Sequence, residues 1–183
     1  MMNRRTFLTS TSVLMGRVAL PSVLASFASS ACSCTRPRLV SAKEMRTLQA
    51  LVDVILPATD SPAASAANTH VFVDAAAHAC ATKAEQAMLR AGLEDLENET
   101  QAKHDRAFVD LTPEQQATLL KPRAQADAAL PYDQSFFKIL KDYTLVGYFH
   151  SEIGATQALA YEQIPGGYEA DIPLRPGQKA WAI

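Results

Sequence analysis

Asp133-Gln134-Ser135-Phe136-Phe137-Lys138-Ile139-Leu140-Lys141-Asp142-Tyr143-Thr144-Leu145-Val146-Gly147 decides the fold class. Phe136, Phe137, Leu140, Tyr143, Thr144 and Gly147 recur at intervals of three and four. That spacing predicts a long helix, starting near Asp133, with one buried face. A helix that buries a whole face needs other elements to cover it.

Upstream the chain supplies them. Leu130-Pro131-Tyr132 makes a break before the long helix. Thr112-Pro113-Glu114-Gln115 is a helix start, with Pro at the first helical position and Gln at the third. Leu119 and Leu120 then face the core, and Phe108, Val109 and Leu111 lead in. Thr82 and Glu85 form a capping box ahead of Met88, Leu89, Leu93 and Leu96. Asn98 to Asp105 reads as the solvated end of that helix. A further helix covers Val71 to Ala79, preceded by an ordered loop over Ala58 to Asn68. Ser41 and Glu44 form another capping box, followed by Leu48, Leu51, Val52 and Ile55, and Pro57 ends that helix. Downstream, Ile164-Pro165-Gly166-Gly167-Tyr168 and Ile172-Pro173-Leu174 lead to Trp181, the single tryptophan. Such a stretch does not stay helical. No run alternates as a strand would, and no segment repeats. The fold class is all-α: a small irregular helical bundle with an extended Pro/Gly-rich C-terminal tail.

The chain opens Met1-Met2-Asn3-Arg4-Arg5-Thr6-Phe7-Leu8. Weakly apolar runs follow, Val13-Leu14-Met15 and Val18-Ala19-Leu20, then small residues from Ala25 to Ala31. This is the order of an export signal. Arg4, Arg5, Phe7 and Leu8 point to the twin-arginine route, although Asn3, Thr9 and Arg17 depart from its ideal pattern. Residues 1–31 are therefore expected to be a twin-arginine signal peptide, residues 32–40 a tether and 41–183 a single helical domain. No stretch holds the roughly 20 uninterrupted apolar residues of a membrane span. Cleavage after Ala31 is one reading; lipidation of Cys32 is another, without the Leu expected three residues before it.

Removing 31 of 183 residues leaves 152, the size of one domain. The leader holds three of the 17 basic residues and no acid, so 14 basic face 19 acidic ones in the remainder. That balance argues against nucleic acid and against an anionic lipid surface. Cys80 could pair with Cys32 or Cys34, or all three could be free.

Chemistry is sparse. There is no dinucleotide-binding Gly loop after a strand, no phosphate loop, no haem attachment and no nucleophile elbow. His70, Asp74 and His78 are spaced by four and could hold a metal from one helix face; a solvated face or a local ion pair is the plainer reading, and no metal is expected. His104, His150 and Glu152 read as structural or surface residues. Asp53 and Asp60 show no partner carboxylate. The stretch Gly147-Tyr148-Phe149-His150-Ser151-Glu152-Ile153-Gly154-Ala155-Thr156-Gln157 is unusually dense in glycines, aromatics and polar groups. It reads either as tight helix packing or as a partner surface with aromatic anchors.

Three blocks carry a family resemblance. The first is Leu51-Val52-Asp53-Val54-Ile55-Leu56-Pro57-Ala58-Thr59-Asp60-Ser61-Pro62-Ala63-Ala64 with His70-Val71-Phe72-Val73-Asp74. The second is Gly147-Tyr148-Phe149 through Ser151-Glu152-Ile153-Gly154-Ala155-Thr156-Gln157-Ala158-Leu159. The third is Tyr161-Glu162 with Ile164-Pro165-Gly166-Gly167-Tyr168, Pro173-Leu174 and Ala180-Trp181-Ala182. Together they resemble the small third (gamma) subunit of gluconate 2-dehydrogenase and related membrane-associated flavin dehydrogenases. Residues 82–130 match most loosely.

The resemblance implies a non-catalytic subunit with no cofactor of its own. FAD is then expected in a flavoprotein large subunit that oxidises a sugar or sugar acid, and haem c in a cytochrome c subunit. It implies help in assembly, and export of the large subunit through the twin-arginine translocase to the periplasm, with membrane association through the complex. The expected partner interface is Gly147, Tyr148, Phe149, Ser151, Glu152, Ile153, Gly154, Thr156, Gln157, Tyr161, Pro165, Gly166 and Tyr168. The competing reading is a stand-alone periplasmic metal-binding protein using His70, Asp74 and His78, or a lipoprotein anchored at Cys32.

Overall fold

The computed structural model describes residues 39–164, 166, 171, 173 and 176–181. The expected leader, the tether up to residue 38 and half of the tail, including Pro165 and Tyr168, lie outside the described residues. Among the described residues are five α-helices and no β-strand: α1 (Ala42–Ile55), α2 (Thr69–Cys80), α3 (Lys83–His104), α4 (Pro113–Asp127) and α5 (Phe136–Phe149). The fold is all-α.

Local chemistry starts three of the helices where the sequence indicates. Ser41 Oγ accepts the Glu44 amide while the Glu44 carboxylate accepts the Ser41 amide. Thr82 and Glu85 do the same for α3, and Thr112 and Gln115 for α4, with Pro113 leading that helix. Each reciprocal pair satisfies amides that have no partner inside the helix.

The other helix starts shift. Helix α5 starts at Phe136, because Tyr132–Gln134 form a 3-10 turn and Ser135 is the cap. Asp127, the last residue of α4, decides this: its Oδ2 accepts both the Ser135 hydroxyl, at 3.0 Å, and the Phe137 amide, at 2.8 Å. Helix α2 begins at Thr69 after a 3-10 turn over Ala64–Ala67. The polar stretch from Asn98 is the end of α3, as the sequence indicates: the helix runs to His104, and Asp105 ends it in the left-handed conformation, with φ of 51°.

Helix α5 packs against all four other helices. Its buried face holds Phe136, Ile139, Leu140, Thr144, Gly147 and Tyr148. Against it lie Leu51 and Val52 of α1, Val73 and Ala77 of α2, Leu93 and Leu96 of α3, and Leu119 and Leu120 of α4. Burial of each larger apolar side chain contributes roughly 1.5–3 kcal/mol. The Phe136 ring lies directly on Gly92, where any Cβ would enter the ring. Thr100 and Thr144, both fully buried, donate their hydroxyls to carbonyls one turn back, which removes the penalty for burying them.

The end of the supposed tether belongs to the core. Leu39 and Val40 are each only 6 % exposed. Their amides donate to Asp74 Oδ1 on α2, at 2.8 and 3.0 Å. Asp74 is itself 2 % exposed. A buried carboxylate is tolerated when hydrogen-bond donors converge on it, and two buried amides need an acceptor. Asp74 thus fastens the segment before α1 onto α2. Asp74→Ala orphans both amides and should lower unfolding stability by about 2–4 kcal/mol. Urea unfolding checks this; a loss of under about 0.5 kcal/mol would show the clasp to be dispensable.

Candidate partner interface

The Gly147–Gln157 block divides into an inner and an outer part. Gly147 and Tyr148 are buried. The Tyr148 hydroxyl donates to the Pro62 carbonyl at 2.7 Å, and its ring meets Phe149 edge to face, with centroids 5.3 Å apart. Gly147 faces the Phe72 ring of α2. Past Phe149 the helix turns. Ser151 Oγ donates to the Tyr148 carbonyl at 2.6 Å and accepts the Gly154 amide at 3.0 Å. Gly154–Ala158 then form one turn of π-helix. A Cβ on Gly154 would strike the Tyr148 carbonyl oxygen, so this hairpin depends on glycine for space. Ile153 is half-buried against the core.

Glu152, Thr156, Gln157, Tyr161 and Gly166 are the expected interface residues that do face solvent. Thr156 Oγ1 donates to the Glu152 carbonyl at 2.6 Å. The Ala160 amide donates to the Ala180 carbonyl at 2.7 Å, and Ala160 bridges to Trp181. Lys179 Nζ donates to the Gln157 carbonyl. This stitching sets Trp181, 55 % exposed, beside the Tyr161 segment, where Tyr161 is 57 % and Ile164 82 % exposed. Nothing in the isolated pattern around Trp181 signals that return.

The first resemblance block is pinned from two sides. Asp53 Oδ1 accepts the Ser65 amide at 2.7 Å, and Tyr148 holds Pro62 from 86 positions away. The loop between α1 and α2 and the end of α5 therefore form one structural unit. Both blocks carry positions that hold this unit together.

The metal candidates do not converge. His70, Asp74 and His78 lie along α2, but Asp74 is buried on the Leu39 and Val40 amides while His78 is exposed. Among the described residues no group of three His, Cys, Asp or Glu side chains is placed to hold a metal ion. Cys80 is exposed and forms no disulfide among the described residues. His70 is half-buried, and its Nδ1 is buried with no hydrogen-bond partner among the described residues. Burial pushes its pKa below the usual 6.5, against the opposing pull of the Asp53 carboxylate.

A protein-family comparison matches residues 42–166 to gluconate 2-dehydrogenase subunit 3. The chain belongs to that family. No curated protein and no solved structure matches it. The match runs from the first residue of α1 through all five helices to Gly166, so the helical body is the subunit 3 fold unit. The family name describes a subunit of an oxidoreductase complex, consistent with the existence of partner subunits.

Two outcomes test this geometry. Gly154→Ala should cost more stability than Gly147→Ala, because a backbone carbonyl blocks the first and only the partly exposed Phe72 ring the second; equal melting temperatures would contradict the tight hairpin. For His70, the folded state disfavours the imidazolium. Its contribution is present above pH 6.5 and is lost as pH falls through the lowered value. His70→Gln should flatten the decline in stability just below pH 6.5, read by urea unfolding across pH; an unchanged slope would refute it.

Proposed function

We propose that this chain is a non-catalytic small subunit of a flavin-dependent dehydrogenase complex, and that it assists assembly and twin-arginine export of the catalytic subunit. The observation that carries this is family membership spanning the whole helical body. The partner is a flavoprotein that oxidises a sugar or sugar acid and holds the FAD. A cytochrome c subunit with haem c passes the electrons on. The complex sits at the periplasmic face of the membrane. The subunit joins it through protein contacts, since no helix among the described residues is long and apolar enough to cross a membrane.

Two further features support the reading. Arg4-Arg5-Thr6-Phe7-Leu8 is an address read by a route for folded cargo. A small chain leaving by that route can carry a folded, cofactor-loaded partner with it. The exposed end formed by Tyr161, Ile164 and Trp181 offers aromatic and aliphatic anchors of the kind found at interface centres.

Replacing Arg4 and Arg5 together with Lys should leave the partner dehydrogenase in the cytoplasm. Cell fractionation with a dye-linked dehydrogenase assay reads this. Normal periplasmic activity in the double variant would refute the escort role.

A further inference from the structure

Helices α1, α4 and α5 leave an open apolar groove between them. Its walls are Val54 and Ile55 at the end of α1, Ala117, Leu120 and Ala124 on α4, and Phe137 on α5. The cavity measures about 250 Å³. An apolar cavity of roughly 150 Å³ holds a benzene ring, so this one has room for one or two large apolar side chains. Ala117, Leu120, Lys121 and Ala124 follow the spacing of a single helix face. On that face two alanines flank a leucine, which leaves a trough that apolar side chains from another helix can enter.

Lys121 and Lys141 stand at the mouth, one from α4 and one from α5. Both are exposed, and neither has a hydrogen-bond or ion-pair partner among the described residues. By contrast, Arg123 and Lys103 are both engaged by Glu99. An apolar trough between two unpaired cations complements an apolar ridge flanked by acids. The chain's own first 38 residues do not meet that description, since they hold five arginines and no acidic residue.

We infer that this groove seats an amphipathic helix of the catalytic flavoprotein, with large apolar anchors entering between α4 and α5 and carboxylates meeting Lys121 and Lys141. The inference rests on the accessory-subunit reading and deepens it. It adds a second grip, lined by residues of α1, α4 and α5 rather than by the Tyr161–Trp181 segments. The apolar walls would supply affinity, and the lysines register and specificity.

The test uses the full chain co-expressed with the flavoprotein subunit. A photo-crosslinking benzoyl-phenylalanine replaces Ala124, with exposed Ala87 on α3 as the control position. In parallel, Lys121→Glu and Lys141→Glu are combined. The crosslinker at position 124 should capture a flavoprotein peptide carrying acidic residues, and the one at 87 should not. The charge reversal should reduce recovered flavoprotein on the order of tenfold while leaving the melting temperature of the chain alone unchanged. A wild-type chain that retains no flavoprotein sinks both the accessory-subunit reading and the groove. If the wild-type complex forms, the groove assignment alone falls on any of three results. These are undiminished recovery with both lysines reversed, absence of a crosslink at 124, or capture there of a cytochrome, a lipid or a second copy of this chain.

Discussion

Helix α5 has to satisfy four neighbours at once. It touches every other helix of the described bundle, as α1 also does, and each contact constrains the rest. Phe136 at one end requires a residue without a side chain at position 92 of α3. Gly147 near the other end lets α2 approach closely enough for Phe72 to lie on it. Between them Ile139 and Leu140 are completely buried. Interiors packed to this density transmit small misfits widely. The position of α5 therefore governs the groove beside α4, the hairpin after Phe149 and the hold on the loop between α1 and α2.

The body is built mainly of short-range decisions joined by a few long-range ones. Capping boxes start α1, α3 and α4 from residues three apart. The long-range ties are polar: Asp74 to Leu39 and Val40, Tyr148 to Pro62, and Arg123 to Glu99. Each ties together segments that the hydrophobic core alone would leave adjustable. Apolar contact is tolerant of small slides, whereas a buried carboxylate receiving two amides is not.

This division explains what could be read in the sequence. The capping boxes, the core roles of Leu119 and Leu120 and most of the buried face of α5 were legible because each depends on residues within one or two turns, although that face takes Ile139 and Tyr148 in place of Phe137 and Tyr143. The clasp at Asp74 was not, since the same spacing that suggested metal ligands gives no hint of amides 34 and 35 positions away. The Gly147-Tyr148-Phe149 block shows the same ambiguity. Aromatics beside glycines suit a partner surface or a tight interior equally, and only the arrival of Phe72 and Pro62 makes Tyr148 an inner residue. The outer members, Glu152, Thr156, Gln157 and Tyr161, remain available to a partner. The groove was invisible for the opposite reason. Its walls come from three separate helices, and no local pattern marks a gap between them.

The order of elements along the chain has a consequence in time. The helix that every other helix needs is the last one made. Nearly seventy residues separate the end of α2 from the end of α5, which at ordinary translation speeds takes on the order of ten seconds. Through that interval Leu51, Val52 and Val73 have emerged without the surface that covers them. Helix α1 can flicker into shape on its own capping box, but neither it nor α2, which has no side-chain cap, can settle. The bundle closes as a whole once Phe136 to Tyr148 has left the ribosome. A chain of this kind becomes a closed body only near the end of its synthesis.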